Sequence, residues 1–117
     1  MVNFALKYHV KKLCYVSSTA AIGTNPKGPS TEKNKWEPGS EVSGYSVSKF
    51  LAEKEVWRGI EEGLNAVIIN PCVIFGPGDW NGSSLEIFKA AKKGMPFSPP
   101  GSNAIVDARD VSYAMIQ

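Results

Sequence analysis

The sequence has few of the residues that form disulfides or bind transition metals, with two cysteines and one histidine among 117 residues. Cys14 and Cys72 each lie inside an apolar run, and neither belongs to a Cys-x-x-Cys pair or to a Cys/His cluster with the spacing of metal ligands. This scarcity argues against a disulfide framework and against a zinc site. We therefore predict two reduced cysteines in the core and no metal site.

Long apolar runs and a large excess of one charge are also missing. No stretch approaches the roughly 18 apolar residues of a membrane-spanning helix, and the N-terminus lacks the basic-then-apolar layout of a signal peptide. The net charge is only +2, and the lysines are scattered rather than arranged in a stripe with aromatic residues. We expect a cytoplasmic protein that binds neither nucleic acid nor membranes.

What the sequence does contain is an alternation of apolar strand patterns and helical patterns. The strongest strand signal is the apolar run at 66–75, which Pro71 breaks because proline cannot donate to a strand ladder. The longest helical pattern starts at Ser43 or Gly44 and stops before Gly63, and its broad apolar coverage predicts a largely buried helix. Further strands are predicted at 13–16 and 104–106, further helices at 2–9, 84–93 and 111–116 with Asp110 as N-cap, and loops at 24–43 and 94–102.

This order predicts an α/β fold built from parallel crossover units, which is a doubly wound sheet with helices on both faces. Two or three parallel strands would be poorly covered alone, and the chain starts and stops within helical patterns that have no capping signal. We therefore expect one domain or part of one, spanning residues 1–117, and interpret the chain as a fragment of a longer protein.

Tyr45 and Lys49 are four residues apart on the long predicted helix, so their side chains lie on the same face. An ammonium group stabilises a nearby phenolate, which makes such a pair suitable for exchanging protons near neutral pH. Ser18, at the end of a predicted strand, could donate a hydrogen bond to a substrate oxygen. The residues alone leave an alternative open: a helix-face aromatic beside a solvated lysine, with Ser17, Ser18 and Thr19 as ordinary strand-end caps.

Four segments together resemble an extended short-chain dehydrogenase/reductase of the NAD-dependent epimerase/dehydratase family, with a lean to its dihydroflavonol-reductase-like or hydroxysteroid-dehydrogenase-like branch. Their order and spacing carry the resemblance better than any one of them. The segments are residues 15–23, 45–53, 70–79 and 106–111.

The resemblance implies a Rossmann-type fold, in which this chain forms the C-terminal half of the cofactor domain and the start of the substrate domain. It implies that Tyr45 is the catalytic acid/base, that Lys49 activates it and binds the nicotinamide ribose, and that Ser18 is the catalytic serine, with Thr19 as the alternative. The implied cofactor is NAD or NADP, and the family's Gly-rich phosphate-binding turn does not occur in these residues. Implied cofactor contacts are Ser17, Tyr45, Lys49, Asn70, Pro71, Cys72 and Val73, and implied substrate contacts are Thr19 and Asn70.

The function predicted from these residues is the NAD(P)-dependent interconversion of a carbonyl and a secondary alcohol on a small molecule. One alternative is a nucleotide-sugar epimerase or dehydratase, and another is a noncatalytic truncated Rossmann-like module. Without the phosphate-binding turn, these residues alone are expected to be inactive. The loop at 24–43 is predicted to form part of the substrate pocket, and the tyrosine helix is predicted to contribute to a homodimer.

Overall fold

The computed structural model describes residues 1–23, 25, 28–37, 39, 42–78, 83–94 and 102–117. It divides into two compact units, Met1–Asn70 and Pro71–Gln117. The predicted apolar run at 66–75 is interrupted at Pro71, and this interruption coincides with the boundary between the units.

The first unit contains two parallel strands joined by a helical crossover, as the sequence pattern predicts. β1 and β2 pair with Leu13 opposite Ala66 and Val16 opposite Ile69. The described part of the predicted loop at 24–43 contains no helix and no strand. The elements are α1 (Val2–Lys7), β1 (Leu13–Val16), a 3₁₀ turn (Thr19–Ala21), α2 (Gly44–Glu61) and β2 (Ala66–Ile69).

Both ends of α2 are fixed by local chemistry. The Ser43 hydroxyl accepts a hydrogen bond from the backbone N–H of Ser46 at 3.1 Å, which satisfies one of the free donors in the first turn. At the other end Gly63 has a φ of +97°. Its N–H donates to the Ile60 carbonyl while Leu64 N–H donates to Gly59, which is a Schellman motif. Gly63 therefore ends the helix, as predicted.

The core of this unit lies where α1 and α2 pack beside the strands. Its buried members are Val2, Ala5, Val56 and Leu64. The prediction that α2 is largely buried is wrong for this chain, because the helix buries only Val56 and Gly59. Leu51 and Trp57 are more than half exposed. Two strands and one short helix offer too little surface to cover a helix that is apolar on several sides.

The second unit repeats the strand–helix–strand arrangement. β3 and β4 are parallel, with Val73 opposite Ile105 and Phe75 opposite Asp107. The predicted helix at 84–93 and the predicted strand at 104–106 are therefore confirmed within one residue. The elements are β3 (Val73–Phe75), α3 (Ser83–Lys93), β4 (Ile105–Asp107) and α4 (Ala108–Ile116).

The cap of the last helix is Asp107, so the prediction that Asp110 is the N-cap is wrong. The Asp107 carboxylate accepts from the backbone N–H of Arg109 at 2.8 Å, and it also accepts two hydrogen bonds from the Arg109 guanidinium. β4 runs into α4 without a loop, so the last strand residue is the one placed to cap the helix. Asp110 lies in the first turn, where a negative charge suits the helix dipole.

Both cysteines are free, as predicted, but each is half-buried rather than part of the core. In the described part of the chain, no helix is long and apolar enough to cross a membrane. Nor do the described residues contain a group of three histidine, cysteine or carboxylate side chains that could hold a metal ion.

Candidate active site

Ser18 stands at the end of β1, in the place that the sequence predicts for the catalytic serine. Its Oγ accepts from the backbone N–H of Ala20 at 3.2 Å and so caps the 3₁₀ turn. A hydroxyl that accepts one hydrogen bond still has its own proton to donate. Capping therefore fixes the position of Ser18 and leaves it able to donate to a ligand.

The residues on either side of Ser18 differ in their surroundings. Ser17 is buried, and its Oγ has no hydrogen-bond partner among the described residues. A buried hydroxyl without a partner is uncommon in folded proteins and often lies near a functional site. Thr19 is exposed and lines a cavity. The strand end thus carries hydroxyl groups, the kind of donors and acceptors that a ribose or a nicotinamide amide needs.

Tyr45 and Lys49 lie on one face of α2, as the spacing predicts. The Lys49 ammonium nitrogen is 5.9 Å from the centre of the Tyr45 ring. Tyr45 lies in the first turn of the helix and is 58% exposed, whereas Lys49 is half-buried. The phenol is therefore open to a ligand, and the Lys49 ammonium lies within the range of a cation–π contact with its ring.

A hydrogen bond from Ser46 connects the first turn of α2 to the 3₁₀ turn that follows Ser18. Its hydroxyl donates to the backbone carbonyl of Ala20, and the Trp36 indole nitrogen donates to Ser46 Oγ at 3.2 Å. Ser46 follows Tyr45 directly in the chain, and Ala20 is two residues beyond Ser18. The Ser46–Ala20 hydrogen bond connects the two elements that carry the predicted catalytic residues, and the Trp36 bond adds the segment before α2 to the same contact.

Trp36 also fixes the segment at residues 28–37, which precedes α2 in the chain, against that helix. Its ring stacks on Phe50 with a centroid distance of 4.1 Å and an interplanar angle of 9°. The backbone at Lys35 also approaches Gly23 so closely that a Cβ there would lie 2.0 Å from the Lys35 carbonyl oxygen. Only glycine permits this approach, so the segment is fixed at both positions.

A cavity of about 700 Å³ opens between this segment and the start of α2. Its size is within the range of small-molecule pockets. Ser18 and Tyr45 do not line it, although their neighbours do. The lining includes Thr19, Gly23, Trp36, Val42, Ser43 and Ser46.

Asn70 ends the first unit and is hydrogen-bonded inside it. Its side-chain nitrogen donates to the Ser18 carbonyl at 3.1 Å and to Glu53 Oε2 at 2.7 Å. Both partners are acceptors, so the amide must present its NH₂ to them. A ligand at Asn70 would therefore meet the carbonyl oxygen Oδ1.

Three further predicted cofactor contacts lie in the second unit. Pro71 is buried, while Cys72 and Val73 are half-buried. The backbone N–H of Val73 donates to the Ala104 carbonyl at 3.3 Å, so this donor belongs to the pairing with the β4 side of the unit. The backbone N–H of Val73 is accordingly not a donor that the strand break leaves for a cofactor.

The structure also shows residues whose roles the sequence did not reveal. Trp36 and Glu53 each form hydrogen bonds that hold a predicted site element in place. The sequence contains a pattern that points to Glu53. It follows Lys49 by four residues, the same spacing that separates Lys49 from Tyr45, and this spacing places all three on one helical face. No comparable spacing points to Trp36, since its partners lie 10 and 14 residues further along the chain.

Parallel strands with helical crossovers, and hydroxyl groups that follow the carboxyl end of β1, define an α/β protein of the Rossmann type. The chain belongs to the NAD dependent epimerase/dehydratase family, whose family model matches residues 1–112. This confirms the resemblance and the α/β fold predicted from the sequence. It also confirms NAD or NADP as the cofactor class at the level of the family.

Individual relatives agree with this assignment. Sterol demethylase protein B of Methylococcus capsulatus is 34% identical over 95% of this chain and 34% of its own length. A putative dihydroflavonol 4-reductase of Synechocystis is 30% identical over 92% of this chain and 32% of its own length. Among solved structures, the UDP-glucose 4-epimerase of Thermus thermophilus in complex with NAD has a TM-score of 0.69 and 27% identity, over 98% of this chain and 41% of its own.

The chain thus spans about a third of the length of the curated relatives it matches. The dihydroflavonol-reductase-like branch predicted from the sequence is confirmed among these relatives. The similar proteins include reductases, dehydrogenases and an epimerase, so family membership does not specify the reaction.

Proposed function

We propose that the chain supplies the proton-transfer residues of an NAD(P)-dependent oxidoreductase that interconverts a carbonyl and a secondary alcohol on a small molecule. The observation that carries the proposal is the Lys49 ammonium lying 5.9 Å from the centre of an exposed Tyr45 ring. Family membership supports it, because the family is defined by dependence on NAD.

Each of three side chains has a separate task in this proposal. In the direction of reduction, the Tyr45 hydroxyl gives its proton to the substrate carbonyl oxygen. Lys49 stabilises the phenolate that remains, and the Ser18 hydroxyl donates a hydrogen bond to the same substrate oxygen. The bound nicotinamide supplies the hydride. In the direction of oxidation, Tyr45 accepts the proton from the alcohol.

The cofactor contacts that the family resemblance implies are also part of this proposal. Lys49 would bind the ribose, and the strand-end hydroxyls of Ser17 and Ser18 and the break at Asn70, Pro71, Cys72 and Val73 would lie against the nicotinamide. The unpaired buried hydroxyl of Ser17 supports a polar ligand near this strand end. The 117 residues contain no Gly-x-x-Gly-x-x-Gly, so we propose that they form a partial cofactor domain that carries the tyrosine helix.

Net consumption of the reduced cofactor separates this function from the main alternative. An epimerase or dehydratase with the same three residues regenerates its cofactor in every cycle. The experiment incubates the complete gene product with NADH or NADPH and a panel of ketones and aldehydes, and separately with nucleotide sugars. Stoichiometric oxidation of the cofactor with a carbonyl substrate is the expected result. Conversion of a nucleotide sugar without net oxidation would replace the proposal with the alternative, which the likeness to a UDP-glucose 4-epimerase favours.

A noncatalytic module is the second alternative. We expect the complete gene product to bind NAD or NADP in a calorimetric titration, and the 117-residue chain alone to bind weakly and to be inactive. A complete gene product that binds neither dinucleotide would favour the noncatalytic alternative.

We also propose a homodimer formed through the helices α1 and α2. Large apolar side chains on or next to these helices are exposed, including Phe4, Tyr8, Leu51 and Trp57. Exposed apolar side chains of this size are common on surfaces that another chain covers. Light scattering on the complete gene product should give twice the monomer mass, and a monomer at high concentration would refute the dimer.

A further inference from the structure

The amide of Asn70 connects the end of β2 to two other elements through one nitrogen atom. Its Nδ2 is 3.1 Å from the carbonyl oxygen of Ser18 and 2.7 Å from Oε2 of Glu53 on α2. An NH₂ group has two protons, so it can donate to both acceptors at once. The Ser18 backbone is thereby connected to α2 through a side chain that stands on neither element.

Glu53 also accepts a hydrogen bond at its other carboxylate oxygen. Its Oε1 accepts from the indole nitrogen of Trp57 at 3.3 Å, and the carboxylate is half-buried. Tyr45, Lys49, Glu53 and Trp57 succeed one another at intervals of four residues along α2. Glu53 therefore lies on the stripe of the helix that begins with the candidate catalytic pair.

The Glu53 carboxylate determines the orientation of the Asn70 amide group. The bond to Glu53 is charge-assisted and short, and bonds of this kind are among the stronger ones in proteins. If the amide turned over, its oxygen would face two acceptor oxygens and both hydrogen bonds would be lost. Glu53 consequently keeps the donor in place for the carbonyl of Ser18.

We propose that Glu53 is a positioning residue for Ser18, acting through the Asn70 amide. It fixes the Ser18 carbonyl relative to α2, and hence the backbone from which the Ser18 hydroxyl projects towards the substrate. This inference rests on the proposed function, because it presupposes that Ser18 takes part in the reaction. Glu53 itself touches neither substrate nor cofactor in this scheme.

The kinetic test uses Glu53→Ala and Glu53→Gln in the complete gene product, with Glu55→Ala as the matched control. Glu55 lies on the same helix, where its exposed carboxylate pairs with Arg58 at 3.0 Å. Glu53→Ala should lower kcat by about tenfold, the scale of one hydrogen bond. Glu53→Gln keeps an acceptor oxygen for Asn70 and should restore most of the rate, and Glu55→Ala should match the wild type.

A kcat of Glu53→Ala equal to that of the control would overturn the inference. So would a Glu53→Gln enzyme that folds like the wild type and is as slow as the alanine variant, because the amide side chain preserves the proposed contact. Glu53→Met has a similar length and no acceptor oxygen for Asn70, so it replaces the alanine variant in the test if that variant does not fold.

A second readout is independent of activity. In nitrogen-15 NMR spectra of the protein, the side-chain NH₂ signals of Asn70 report its two hydrogen bonds, and the backbone N–H of Ala20 reports the Ser18 hydroxyl that accepts from it. Glu53→Ala should shift both, and unchanged signals would contradict the inference. If both signals shift but Tyr45→Phe keeps full turnover, the positioning network stands and the proposed function fails.

Discussion

The ammonium nitrogen of Lys49 lies 5.9 Å from the centre of the Tyr45 ring, one helical turn further along α2. This separation falls within the range over which a cation is attracted to an aromatic face. Lys49 is half-buried while Tyr45 is 58% exposed, so the ring is accessible to a ligand while the ammonium lies within this range.

Replacement of Lys49 by methionine tests what the charge contributes. Lys49→Met keeps the apolar stem and removes the ammonium, so in the proposed function the phenolate would lose its stabilisation and the ribose would lose a donor. We expect a fall in kcat of at least about tenfold, together with a higher KM for the cofactor, in steady-state kinetics of the complete gene product. Lys54→Met is the control, because Lys54 lies on the same helix and contacts Phe50. Equal losses in both variants would mean that the charge of Lys49 has no special role.

The close approach at Gly23 predicts a stability effect. A methyl group there would lie 2.0 Å from the Lys35 carbonyl oxygen, so Gly23→Ala must displace the segment that carries Trp36. We expect a loss of about 1–3 kcal/mol in the free energy of unfolding, measured by urea denaturation. At Gly44 an added Cβ meets nothing within 4 Å, so Gly44→Ala should be neutral or slightly stabilising. Similar values for the two variants would show that the segment is not fixed at Gly23.

The carboxylate of Asp107 predicts a pH dependence at the acid end. Hydrogen bonds from the Arg109 side chain and backbone lower the pKa of Asp107 from 3.8 to about 2. A pKa that is lower in the folded state means that the carboxylate stabilises the fold above pH 4, and that this contribution is lost as the pH falls through about 2. Asp107→Asn can still accept from Arg109 N–H, and its amide does not titrate. It should therefore lose less stability between pH 4 and 2 than the wild type does.

Carbon-13 NMR of the Asp107 carboxyl group checks the cause directly. Its titration midpoint should lie near 2 in the wild type and should rise towards 3.8 in an Arg109→Ala variant. A wild-type midpoint near 3.8 would show that the Arg109 contacts do not persist in solution.

Local patterns predicted most of the secondary structure in this chain. The four-residue spacing of Tyr45 and Lys49 placed them on one helical face, and Pro71 marked the break between β2 and β3. Gly63 marked the end of α2 because a positive φ favours glycine. These features depend on residues that are close in sequence, so the sequence alone could reveal them.

One error concerns a strand end that the local pattern does not show, and the omissions involve contacts between distant residues. Asp107 caps α4 because β4 reaches the helix without a loop, and the position of a strand end is not visible in the pattern around Asp110. The partners of Asn70 are 17 and 52 residues away, and the partner of the Trp36 indole is 10 residues away. No periodic pattern connects such positions, and only the folded chain brings them together.

The central claim is that Tyr45 transfers the proton, and Tyr45→Phe tests it most directly. The variant keeps the ring that packs near Lys49 and removes only the hydroxyl. The measurement compares kcat and dinucleotide affinity in the complete gene product, with Tyr8→Phe, at the C-cap of α1, as the control because Tyr8 is similarly exposed. The account predicts a loss of at least about a hundredfold in kcat with cofactor binding retained, and wild-type rates for Tyr8→Phe. A Tyr45→Phe enzyme that turns over at the wild-type rate would contradict it.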